Sequence, residues 1–128
     1  MEKKANAVID LFQSFYGNKP ERITKLPVSG SSRTYYRLLT GSGSLIGVYH
    51  SNPDENVAFI KFTRHFKNKG LPVPEIICDD LDNHVYIIED LGDDTLYNRV
   101  LKEIYQEELS TEIKEFYKKW LSILLKFQ

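Results

Sequence analysis

The chain has 128 residues, enough for one domain with a modest core, and its 41% hydrophobic and 27% charged content fits a globular protein and excludes an intrinsically disordered one. A net charge of −1 leaves no electrostatic footprint for nucleic acid or an anionic membrane, so neither is expected as a partner. The single cysteine, Cys78, forbids an internal disulfide, and no apolar run approaches the length of a membrane span or of a signal-peptide core, so the expected setting is cytoplasmic.

In chain order, residues 4–16 read as a helix, because Val8, Leu11, Phe12 and Phe15 recur at helical spacing and Gly17 suits the left-handed position after its end. Strands are expected at 21–27 and 34–40, then a turn at 41–44 and a third strand at 45–50. Asn52 before Pro53, with Asp54 and Glu55 next, is a helix start. Val57, Phe59, Ile60, Phe62, Thr63 and Phe66 carry the apolar stripe of that helix to about 68, where Gly70 and the prolines of 71–74 end it. Strands at 75–79 and 84–90 enclose a turn at 80–83. A helix capped by Asp94 or Thr95 follows to about 105, and a last helix spans 111–127 with Trp120, Leu121, Leu124 and Leu125 on its apolar side. Local hairpins on both sides of one helix predict an α+β domain: an antiparallel five-stranded sheet, a helix between strands three and four packed on a sheet face, and flanking N- and C-terminal helices.

The chemistry-bearing feature is the connection between the first two strands: Ser29, Gly30, Ser31, Ser32 and Arg33. Small side chains let backbone N–H groups approach an anion, and the serine hydroxyls and Arg33 add donors. A strand–small loop–strand unit covers nucleotide phosphates in kinase-type folds, although the same residues also suit a plain hairpin turn. Guanidinium groups bind phosphate oxygens bidentately, which makes Arg33 and Arg37 the best anion partners; on a solvated strand face they would instead form ordinary ion pairs. Strand alternation places Arg33, Tyr35 and Arg37 on one face and Tyr36 and Leu38 on the other. His50, His65 and His84 lack ligand spacing and read as structural or surface groups, and Lys61, Arg64, Lys67 and Lys69 read as a solvated helix face.

The stretch 29–37, with its Arg-x-Tyr-x-Arg ending, resembles the phosphate loop and second strand of the aminoglycoside phosphotransferase/choline kinase superfamily. Within it, the anomeric sugar kinases acting on N-acetylmuramate and N-acetylglucosamine are the most similar branch. The stretch 52–56 followed by Phe59 resembles the start of that branch's helix C, and 70–76 with 86–93 resembles its fourth strand, fifth strand and hinge. The resemblance spans about 22–98 and implies a protein-kinase-like N-lobe. It implies that the Glu89 carbonyl and Leu91 amide, with Asp90 between them, face the adenine edge, and that Gly47 lies above the adenine ring.

Two departures qualify what is implied. Tyr49 stands where a protein kinase carries its strand-three lysine. The sequence also contains no His-x-Asp-x-x-x-x-Asn catalytic loop and no later metal-binding aspartate motif. The expected organisation is an N-lobe with its N-terminal helix at 1–94 and helices at 95–128 leading toward a C-terminal catalytic lobe of a parent chain. The implied function is to bind ATP for a small-molecule kinase that transfers the γ-phosphoryl to a hydroxyl of a sugar or amino sugar, inactive without the second lobe, whose residues would ligate Mg2+. Self-association through the last helix is expected if no second lobe covers it. The alternative class is a non-catalytic interaction or nucleotide-sensing module.

Overall fold

The computed structural model describes residues 2–27, 33–70 and 73–92. The expected helices at 94–105 and 111–127, the division at residue 94, and Ser29, Gly30, Ser31 and Ser32 lie outside the described residues.

The elements are α1 (Lys3–Tyr16), β1 (Arg22–Lys25), β2 (Thr34–Thr40), β3 (Gly43–Tyr49), α2 (Pro53–Asn68), β4 (Ile76–Asp80), a short 3-10 turn (Leu81–Asn83) and β5 (Val85–Glu89). The strands form one five-stranded antiparallel sheet in the order β1-β2-β3-β5-β4. The α+β architecture and the helix between the third and fourth strands are therefore as expected.

Local chemistry explains the boundaries. α1 ends at Gly17, whose φ of 84° is left-handed and whose N–H donates to the Gln13 carbonyl at 2.8 Å. At the start of α2, the Asn52 side chain accepts from the Glu55 N–H at 3.2 Å, Pro53 occupies the first turn, and Asp54 and Glu55 face the positive end of the helix dipole. The β2–β3 hairpin closes with Thr40 opposite Gly43, and the Thr40 hydroxyl donates to the Gly43 carbonyl at 3.1 Å. β4 carries a register shift between Ile76 and Cys78 against β5.

The sheet is covered on both faces. Ala5, Val8, Leu11 and Phe12 of α1 pack with Tyr36, Leu38, Val85 and Ile87 on one face. Phe59, Ile60 and Phe66 of α2 pack with Ile46, Val48, Tyr86 and Ile88 on the other. The alternation expected along β2 is observed, because Tyr36 and Leu38 belong to the α1 face while Tyr35 packs against the α2 cluster. β5 is buried on both sides, which is why it reads as an unbroken apolar run. Phe15 and Val57, expected on buried stripes, are instead exposed, at 56% and 38%. Each helix buries a narrower face than its full set of apolar residues would cover. No helix among the described residues is long and apolar enough to cross a membrane.

Candidate functional site

The antiparallel register orders the expected site residues along the sheet. Thr34, Tyr49 and Val85 stand side by side at one end of the sheet; Leu39, Ser44, Leu45 and Glu89 stand at the other. Arg33 therefore marks the end that the Ser/Gly connection enters, and 89–91 marks the opposite end. The separation is about 20 Å at ~3.3 Å per strand residue.

Arg33 is 3% exposed. Its Cζ lies 5.9 Å from the centre of the Phe59 ring, which stacks on the Tyr86 ring at 5.3 Å. Burial pushes the Tyr86 phenol well above its ordinary pKa, and the neighbouring Arg33 charge pulls it the other way. One guanidinium thus lies by the inner side of α2 and the start of β5. Arg33 stands at this end of the face, and its side chain is built into the α2 packing rather than held out from it.

Arg37 lies on the same face nearer the other end and engages Asp90. Its Nε donates to Asp90 Oδ2 at 2.8 Å and its Nη2 to Oδ1 at 3.4 Å. Ser44 Oγ donates to Asp90 Oδ2 at 2.7 Å, and the Gly92 N–H donates to Oδ1 at 2.9 Å. Burial alone would raise the Asp90 carboxyl, yet the bonds from Ser44, Gly92 and Arg37 outweigh it and hold the pKa below its ordinary value. Arg37 and Asp90, two residues expected to meet a nucleotide, are thus brought together with each other.

Gly47 has a different neighbour from the one expected. A Cβ at this position would run into Cγ1 of Val8, so the missing side chain is required by the seating of α1 on the face opposite α2. The backbone of Glu89 is fixed by its N–H, which donates to the Glu75 carbonyl at 2.9 Å, and its carboxylate accepts from the Glu75 N–H at 3.2 Å. Leu91 follows Asp90 at the edge of the sheet, half-buried.

His50, expected as a structural or surface group, takes a structural place. His50 is buried and its Nε2 contacts the Glu55 carboxylate, while Asn56 Nδ2 donates to the His50 carbonyl at 2.7 Å. This ties the end of β3 to the first turn of α2. The signal was present: an Asn52 cap places Glu55 at the third helical position, within reach of the residue that ends the strand. Cys78 packs against the α1 cluster as a small hydrophobe; burial, with the Asp79 charge second, pushes its thiol up to about 11, away from a reactive thiolate.

Two clefts of about 410 and 610 Å³ border α1, one by the β2–β3 hairpin and one by β4, and neither contains an expected site residue. Among the described residues, no group of three or more His, Cys, Asp or Glu side chains could hold a metal ion. No protein-family model matches this chain, and no curated protein matches it.

Proposed function

We propose that this chain is the nucleotide-binding lobe of a small-molecule kinase of the aminoglycoside phosphotransferase type, serving transfer of the ATP γ-phosphoryl to a hydroxyl of a sugar or amino sugar. The observation that supports it is the sheet itself. Five antiparallel strands carry one helix between the third and fourth, laid on the face to which Arg33 belongs. The Ser/Gly connection joins two antiparallel neighbours, β1 and β2, and the 89–91 segment leaves the same sheet at the far end. ATP would lie along β2 and β3, its base against the backbone at 89–91 and its phosphates at the Ser/Gly connection. Arg33 supplies positive charge there from the α2 face, whereas Tyr49, at the position of the strand-three lysine, packs against the α1 cluster on the other face. The acid–base group and the Mg2+ ligands that phosphoryl transfer needs would come from a second lobe.

The test is a heteronuclear NMR titration of the labelled chain with ATP and with adenosine, which follows binding even when it is weak. A charge-assisted bond contributes roughly 1.5–3 kcal/mol, so Arg33→Ala should weaken ATP binding by about ten- to a hundredfold and leave adenosine binding nearly unchanged. An unchanged ATP affinity in a folded variant would reduce 29–33 to a hairpin turn. Equal loss of both ligands would make Arg33 a packing residue only.

A further inference from the structure

We propose that Asp90 is a positioning residue: clasped by Arg37 and Ser44, it fixes the backbone at 90–92 in the conformation that reads the base. The inference rests on the nucleotide reading above and assigns Arg37 a carboxylate to hold in place of a phosphate.

Sheet order makes the clasp. Arg37 stands opposite Ile46, and Ile46 opposite Ile88, so the residue two beyond Ile88 reaches the Arg37 side of the sheet as β5 ends. Ser44 comes from the start of β3. Three segments far apart in sequence therefore meet on one carboxylate whose side chain is 6% exposed. Each contact has a direction. The Arg37 fork constrains the plane of the carboxylate, and Ser44 occupies one oxygen. The Gly92 N–H on the other oxygen closes a ring around the Leu91 peptide, and Gly92 can complete it because its φ of 81° is left-handed.

The consequence falls on the two backbone groups expected to meet adenine. The Glu89 carbonyl precedes the clasped residue, and the Leu91 amide lies inside the ring that Asp90 closes with Gly92. Rotating the Asp90 carboxylate would turn the Leu91 peptide with it. Backbone recognition of a base has no side-chain identity to rely on, so it needs such an anchor. A misplacement of a hydrogen-bonding group by about 1 Å is enough to lose the benefit of orientation.

Three variants of the full chain test this by the same NMR titration. Asp90→Asn keeps the shape but loses the charge and one acceptor; it should weaken adenosine and ATP equally, by about tenfold, with the loss read in the folded population. Ser44→Ala removes one donor and should weaken both by about threefold. Arg37→Lys keeps the charge without the fork and should fall between wild type and Asp90→Asn. The equal effect on both ligands separates this role from that of Arg33, whose loss is expected with ATP alone. A clasp that only stabilised the fold would lower the denaturation midpoint and leave adenosine affinity unchanged, which would overturn the inference. If Asp90→Asn does not fold, Ser44→Ala decides, and unchanged adenosine affinity there is equally fatal. A wild-type chain that binds neither ligand brings down the nucleotide reading itself, an outcome distinct from wild-type binding that the variants fail to alter.

Discussion

On the face covered by α1, the buried residues are Ala5, Val8, Leu11, Phe12, Tyr36, Leu38, Val85 and Ile87, and the one polar group among their side chains, the Tyr36 hydroxyl, donates to the Glu2 carboxylate. On the face covered by α2, Arg33, His50, Asn56 and Thr63 are buried as well. A polar group taken out of water costs free energy unless it is bonded again. Some of that cost is offset: His50 contacts Glu55, and Asn56 donates to the His50 carbonyl. The Thr63 hydroxyl and the Asn56 Oδ1 have no such bond among the described residues. The α1 face is what stability alone would build. The α2 face carries groups that stability alone would replace with hydrocarbon, and under the proposed reading it is the face along which ATP lies.

That division can be broken from the α1 side. Leu38 is fully buried there, and Leu38→Ala should cost about 2–5 kcal/mol in urea denaturation, the largest effect expected of any change discussed. Adenosine and ATP affinity of the folded population should stay unchanged. A parallel fall in affinity would mean that the two faces are not separable. Gly47→Ala comes next, at about 1–3 kcal/mol, because the new methyl meets Val8 and lifts α1 off the sheet. The same substitution in a Val8→Ala background should cost measurably less, since the space it needs is then open. Equal costs in both backgrounds would place the strain somewhere other than the α1 seat.

The contrast also marks what the sequence made legible. β2 was readable over 34–40 because one turn-rich segment precedes it, another follows, and its alternation has a single interpretation. α2 was readable because Asn52 and Pro53 announce its start chemically. Both are local signals. The Arg37–Asp90 pair joins residues far apart in the chain, and its existence depends on β3 lying between β2 and β5. Alternation fixes which face Arg37 takes but not which strand lies two places away, so the pair was out of reach. The same applies to Gly47: the sequence shows that a side chain is missing, and only the docking of α1 shows which neighbour requires its absence. Arg33 was singled out by type and position, whereas its burial against Phe59 follows from how α2 settles on the sheet.

The smallest expected effect has the opposite sign and probes the α2 face most directly. Thr63 is fully buried on the inner side of α2, and its hydroxyl makes no hydrogen bond among the described residues. Valine has nearly the same shape and a similar helix propensity, so Thr63→Val changes little except the polarity of one group. An unsatisfied buried hydroxyl costs about 1–3 kcal/mol, and part of that is recovered when a methyl takes its place. The variant should therefore be more stable than wild type by about 1 kcal/mol, seen as a higher urea midpoint at an unchanged slope. A lower midpoint would show that the hydroxyl is bonded in solution and that the polar character of this face is structural. Asn56 is a poorer probe, because replacing it also removes the bond to the His50 carbonyl and leaves that carbonyl exposed to the same penalty. Measuring ATP affinity on the stabilised variant then sharpens the comparison. Unchanged affinity confines the ligand to the two ends of the face, at Arg33 and at 89–91, whereas affinity lost while stability rises would identify Thr63 as a group held polar, at a cost to the fold, for the nucleotide.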